Sequence, residues 1–432
     1  MKSKLLKIGI ALAVILIILL GFLPQIASTR LGKPLFVRAF EKKTHAHVTI
    51  GSLKCSWFGP QVFRNVTFER DSATGSFEEL SIRAPFWNFT GAFQLKGGHI
   101  AYRGGHVEQI EGRIEGHDFT LTGVTLQGHI SLKGQIVSKL QFHVQIDVTQ
   151  FPLVAIDPRL PLLLGPTLDL VGTATMKEGT GTLDLHAASA NLQTQLKGTL
   201  TEEGIGLSEQ LVVSLRLTPE ISALLLKETN PLFVTGLSAQ NPVILRVEPE
   251  GFFFPFSCSL EKLKVGLATL DLGKMRCQMG ETLKSVIALL NANRLLNASE
   301  MNIWAAPFSM HIEQGVLTAG RFDALLDDSI HICTWGSIDL IRDRLDMFLG
   351  LPASTLQNSF GVQDMPRNYV LKIPIRGTPS HPEIDKKTAL AKIGLLMASG
   401  PLPKAGILEV LAQKQQNDVP APQRPFPWEQ SP

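Results

Sequence analysis

The chain has 432 residues, 41 Lys+Arg against 38 Asp+Glu, a net charge of +3 and only 18% charged residues. That length is ample for a large core, and so small and scattered a charge excludes the concentrated basic surface that nucleic-acid binding needs. Phe is plentiful at 23 and Tyr scarce at 2, while Thr, Ser, Gln and Asn fill polar positions that Lys and Glu would hold on a helical protein, which favours β structure.

Residues 8–29 carry no charge and follow Lys2, Lys4 and Lys7. At about 1.5 Å per residue the stretch reaches about 33 Å, enough to cross the hydrocarbon core of a bilayer. Lysines before the span and none within it put the N-terminus in the cytoplasm and the rest of the chain on the far side. A cleaved signal peptide is the competing reading, but Gln25-Ile26-Ala27 fits an A-x-A-like site poorly. The expectation is an uncleaved anchor over 1–30.

Next, 31–47 reads as a short amphipathic helix, with Leu35, Phe36, Ala39 and Phe40 near helical spacing. From Val48 the period becomes 2. Val124, Leu126, Gly128, Ile130 and Leu132 alternate with Thr125, Gln127, His129 and Ser131. Leu140, Phe142, Val144, Ile146 and Val148 alternate with Gln141, His143, Gln145 and Asp147. Leu168, Leu170, Gly172, Ala174 and Met176 repeat the pattern. Each run predicts a strand with one dry and one wet face. Glycine turns such as Gly97-Gly98 and Gly104-Gly105 at short intervals predict an antiparallel meander. Helices are expected after Thr218-Pro219, with Thr218 as N-cap, over 281–296, and over 386–416. No linker interrupts 48–385, so one β domain is expected there. The Pro-rich 417–432 reads as a disordered tail.

Chemistry is hard to find. No G-x-S-x-G, H-E-x-x-H, P-loop or helix-opening G-x-G-x-x-G occurs. His45 and His47 lack a ligand cluster, and His99, His106, His117, His129 and His143 fall on polar strand faces or turns, which predicts solvated histidines. Glu108, Glu111 and Glu115 beside a Gly turn read as solvated carboxylates. Cys55, Cys258, Cys277 and Cys333 form no C-x-x-C; they read as buried small apolar residues, or as a Cys258–Cys277 pair in an oxidising compartment. No cofactor, metal or enzyme activity is expected. Function then has to come from the apolar strand face, which either is covered by a second sheet or lines an open groove; periodicity does not separate the two.

His47-Val48-Thr49-Ile50-Gly51-Ser52-Leu53, Ser56-Trp57-Phe58-Gly59-Pro60, Val66-Thr67-Phe68 and Phe77-Glu78-Glu79-Leu80-Ser81-Ile82 resemble the N-terminal module of the AsmA-like family, which includes TamB-like envelope proteins. Gly315-Val316-Leu317, Gly320-Arg321-Phe322-Asp323, Gly336-Ser337-Ile338-Asp339-Leu340, Leu345-Asp346-Met347 and Ile373-Pro374-Ile375-Arg376-Gly377-Thr378, with Pro382 after it, resemble its terminal strands. The resemblance covers both ends and, by texture only, the middle. It implies a mostly β fold: an N-terminal transmembrane helix, then an elongated, curved antiparallel sheet forming a taco-like groove, with a few short helices. It implies a bacterial inner-membrane protein, its bulk periplasmic, whose groove holds phospholipid acyl chains and supports outer-membrane integrity. The groove lining is then Val124, Leu126, Ile130, Leu132, Leu140, Phe142, Val144, Ile146 and Val148. The chain is short for the family; roughly 20 strands at about 4.8 Å give a groove of about 95 Å. The alternative is a non-enzymatic scaffold for outer-membrane proteins, binding an outer-membrane or periplasmic partner by strand addition.

Overall fold

The structure, a computed structural model, describes residues 23–29, 32–70, 73–84, 91–102, 105–125, 127–138, 140–227, 229–233, 235–290, 296, 298–363, 365–398 and 419–430. Most of the charge-free stretch 8–29 lies outside them. Leu23–Ala27 is a short helix, α1, and among the described residues no helix is long and apolar enough to cross a membrane. The fold is mostly β, with every strand pairing described below antiparallel. Where alternation reads a single domain over 48–385, the contacts divide the chain into two compact units: 1–179 with 187–190, and 180–186 with 191–432.

The first unit opens with α2 (Lys33–Thr44), which has Pro34 in its first turn and ends on His45 in the left-handed conformation, whose N–H bonds Glu41 O at 2.8 Å. A meander follows: β1 (His47–Lys54), β2 (Gln61–Arg70), β3 (Ala73–Arg83), β4 (Ala92–Tyr102), β5 (Gly105–Glu115), β6 (Asp118–Thr125), β7 (His129–Ser138), β8 (Gln141–Pro152) and β9 (Thr167–Lys177), each paired with the next. The β8–β9 connection carries a 3-10 turn, Leu153–Ala155, and α3 (Leu160–Leu164).

Alternation holds along β6 and β9, slips once in each of β1–β5, and is broken in β7 by a bulge at Ile136–Ser138 and in β8 where Phe151 follows Val148. Inward residues run Val48, Ile50, then Leu53 in β1; Phe68, Val66, then Phe63 in β2; Phe77, then Leu80 in β3; Gly98, then Leu95 in β4; Val107, then Ile110 in β5. The skipped residues Gly51, Asn65, Glu78 and Gly97 fall opposite one another, so pairing survives across β1–β4; the step at Gln109 in β5 lies further along, and bulges absorb the offset between β4 and β5 and between β5 and β6. Asn65, Gly97 and Gln109 take positive φ of 50°, 60° and 50° to make the extra step.

The second unit continues after β10 (Thr180–Ser189) with β11 (Leu192–Thr201), β12 (Gly204–Leu207), β13 (Leu211–Leu215), β14 (Gly236–Ala239), β15 (Val243–Val247), β16 (Phe254–Pro255), β17 (Val265–Asp271), β18 (Lys274–Gln278), β19 (Glu300–Ala305), β20 (Phe308–Glu313), β21 (Val316–Leu326), β22 (Ile330–Asp339), β23 (Arg344–Pro352), β24 (Val370–Thr378) and β25 (His381–Ile384). Ladders run β11–β13–β15–β17–β20–β21–β22–β23–β24–β25. β21 is a fork: its first half pairs β20, and its last residues pair β19, which leads through β18 to β14. Thr218 caps α4 (Pro219–Lys227) as expected, its Oγ1 accepting from Ile221 N at 3.3 Å. The expected helix over 281–296 is described as α5 (Glu281–Leu289), and α6 (Ala353–Phe360) follows β23. The expected C-terminal helix is described as α7 (Lys386–Ala398); 399–418 lie outside the described residues.

Residues 419–430 correct the expectation of a disordered tail. They form an ordered strap ending in α8 (Pro427–Gln430). Val419 packs on the Cys333–Trp335–Val370 cluster. Phe426 is 1% exposed, stacks on Trp428 at 4.8 Å, and meets the His331 ring edge-on at 5.0 Å. The sequence hides this because one Phe among prolines carries no periodicity. Phe426→Ala should lower the stability of this unit by about 3 kcal/mol, the usual cost of emptying a buried aromatic site, read as a fall in the urea midpoint of the full chain; an unchanged midpoint would show that the strap only rests on the surface.

Candidate functional site

The candidate site is the apolar face of the first unit. Residues directly opposite in an antiparallel ladder project to the same side. The register sets Ile130 against Val148, Leu132 against Ile146, and Ile136 against Phe142; β9 continues the rows with Leu170 beside Val148, Ala174 beside Val144, and Met176 beside Phe142. On the other flank Leu121 faces Leu132 and Phe119 faces Gly134, and the rows pass through Gly112 and Ile114 to Leu95, Phe93 and Leu80. No ionisable side chain occurs at these positions.

Of the nine expected lining residues, the structure brings six together on this face: Ile130, Leu132, Phe142, Val144, Ile146 and Val148. Val124 is a correction. The expected strand over 124–132 is two strands, β6 ending at Thr125 and β7 starting at His129; Val124 pairs with His129 and so lies on the polar face with Thr122 and Ser131. The turn consumes an even-looking stretch of sequence, so the alternation runs on in the letters while the chain reverses. Leu126 lies outside the described residues. Leu140 precedes β8 in the hairpin turn, its N–H bonded to Ser138 Oγ and its carbonyl to Gly179 N. Sequence reasoning omitted Ile114, Phe119 and Leu121, which enter the face only through the register of β5 and β6.

The face is covered at one end and bare elsewhere. Over β1–β3, α2 lays Phe36 and Phe40 edge-on to the Phe63 ring, centroids 5.8 and 5.4 Å away, and Phe63, Ile50 and Ile82 are buried. The 3-10 turn Leu153–Ala155 packs against β5, and Leu153 and Ile110 are buried. Between these covers the six lining residues are only half-buried, and Ile114 and Ile136 are 47% and 50% exposed. Bare hydrocarbon of this kind gains about 0.8 kcal/mol per methylene when another apolar body covers it.

The opposite face explains the histidines. His129 Nδ1 lies 2.8 Å from Thr149 Oγ1, and His143 Nδ1 lies 2.8 Å from Thr175 Oγ1. Glu108 is 3.9 Å from His99, and Glu115 pairs with Arg113, while Glu111 is exposed on the same strand. Among the described residues no three His, Cys, Asp or Glu side chains are grouped to hold a metal. The chain matches no family model, no curated protein and no solved structure.

All four cysteines are free, so Cys258 and Cys277 do not pair; three are buried and Cys258 is exposed, contrary to the expectation that all four are interior. Burial pushes the Cys277 thiol up to about 12 and raises Cys333 further, which removes the reactive thiolate at neutral pH. In the native full chain a chromogenic disulfide should titrate Cys258 quickly and the other three only after denaturant; fast reaction of Cys277 would contradict its burial.

Proposed function

We propose that the protein is a membrane-anchored envelope protein whose bare apolar face takes up phospholipid acyl chains. The observation that carries this reading is the run of partly exposed aliphatic and aromatic side chains over β6–β8, free of ionisable groups. A hydrocarbon chain needs continuous apolar contact and no reactive group, and a head group would remain in water. The resemblance to AsmA-like proteins supports the same reading and adds the inner membrane and periplasm as its setting. The anchor over 8–29 rests on the charge-free stretch in the sequence, and the contacts after it fit that reading. Ser28 Oγ accepts the Cys55 N–H at 2.7 Å, so the end of the apolar stretch is fastened to the β1–β2 turn. At that turn Phe58 is 85% exposed beside Trp57, an aromatic pair suited to a membrane interface.

A photoreactive phenylalanine analogue placed in the full chain, in cells, tests the face. At positions 144 and 146 it should yield lipid adducts by mass spectrometry, and at 145 and 147, on the polar face, none. Phe142→Asp should abolish the adduct at 144, since a charge on the face must be desolvated at a cost of about 2 kcal/mol or more before hydrocarbon covers it. Because Phe142 is half-exposed, the β circular dichroism should persist. Protein adducts without lipid at 144 and 146 would favour the scaffold reading, and equal lipid labelling on both faces would end the proposal.

A further inference from the structure

A cavity of about 490 Å³ in the second unit lies between α6, the described residues Val362, Met365 and 367–370, and the C-terminal strap. Its size falls in the range of sites for small molecules, about 300–1,000 Å³. Four basic side chains line it, Arg321, His331, Arg367 and Arg424, and no carboxylate is among the described lining residues.

Two of the four are already committed. Asp323, buried beneath, accepts from Arg321 Nε and Nη2 at 3.0 and 2.8 Å and from His331 Nε2 at 2.8 Å. The Arg321 and Asp323 side chains are 7% and 2% exposed, so this is a fixed floor rather than a pair of mobile surface charges. Arg367 and Arg424 make no ion pair among the described residues. Arg424 rests its guanidinium over the Phe426 ring at 5.1 Å, which orients the group without occupying its N–H fork. α6 also starts at this cavity. Its N-cap is Pro352 with no side-chain cap, and Ala353 and Ser354 line the wall, adding the partial positive charge of a helix N-terminus. Val362, Met365 and Val370 give the remaining wall an apolar part, beside the uncharged polar side chains Gln357, Asn368 and Tyr369.

We infer that this cavity binds a small amphiphilic anion, a carboxylate or phosphate on a short apolar body, with Arg367 and Arg424 gripping the head and Val362 and Met365 receiving the body. Two forked guanidiniums suit planar, bidentate recognition of such an oxyanion. The site exists only while the strap is docked, because Arg424 and Pro422 belong to the strap. It lies in the other unit from the acyl-binding face and does not depend on that reading.

The test is calorimetric titration of the full chain in lipid nanodiscs, with empty nanodiscs as the blank and hexyl phosphate, octanoate and 1-hexanol as probes. Hexyl phosphate or octanoate should bind saturably at about 1 mM or below. The double variant Arg367→Gln, Arg424→Gln should bind about tenfold more weakly or worse, the loss expected for charge-assisted hydrogen bonds. Both residues are exposed, so the unfolding midpoint should match that of the unaltered chain. Asn368→Asp, an isosteric change that adds a negative charge to the exposed rim, should weaken the anions in the same way and serves if the double variant misfolds. Failure of both anions to saturate, equal binding by the variants, or 1-hexanol binding as tightly as hexyl phosphate would overturn the inference.

Discussion

A sheet with an apolar face has to cover that face or leave it to a partner, and the two units of this chain meet the requirement in opposite ways. In the second unit β21–β24 are covered on both sides. Ala324, Ile332, Leu351 and Leu371 form one buried face, and Cys333 and Trp335 lie on the other beneath the strap. Strands buried on both faces need no polar alternation, and β23 duly ends in the unbroken apolar run Met347-Phe348-Leu349-Gly350-Leu351-Pro352. In the first unit α2 covers β1–β3, and over β6–β8 the face is partly exposed.

The row of skipped residues in β1–β5 belongs to the same problem. A single slip in one strand would turn every later side chain to the wrong face. Four slips at one level keep Phe63, Leu80 and Leu95 on the side of Val66, Phe77 and Gly98, and bulges in the β4–β5 ladder bring Ile110 and Gly112 onto the same side. The covered and bare parts of the face are thereby one surface.

In the second unit the Gly320-Arg321 step, where the β21–β22 register shifts, changes the inward set from Leu317 and Ala319 to Phe322 and Ala324. It leaves Arg321 and Asp323 side by side on the strap side. A buried carboxylate is tolerable only with its charge answered, and here Arg321 and His331 answer it. Phe426 and Trp428 then close over His331. Thr355 Oγ1 donates to the His331 carbonyl, tying α6 to the same strand. The order of the strap and the shape of the arginine-lined cavity follow from this one ion pair.

The sequence by itself determined what depends on neighbours in the chain. The alternation of Phe142, Val144, Ile146 and Val148 gave a strand with one dry face, Thr218-Pro219 gave a helix start, and the spacing of Phe36 and Phe40 gave the helix that packs on Phe63. What only the tertiary structure decided depends on residues distant in the chain. Val124 and Ile130 sit in one unbroken alternating run of letters, yet the turn between β6 and β7 puts them on opposite faces. Ile114 and Leu121 join the face through ladder register alone. Phe426 is buried because a strand about a hundred residues earlier offers His331 to receive it. Whether a dry face is covered is a property of what packs on it, and periodicity, which reports only the face, carries no signal of the cover.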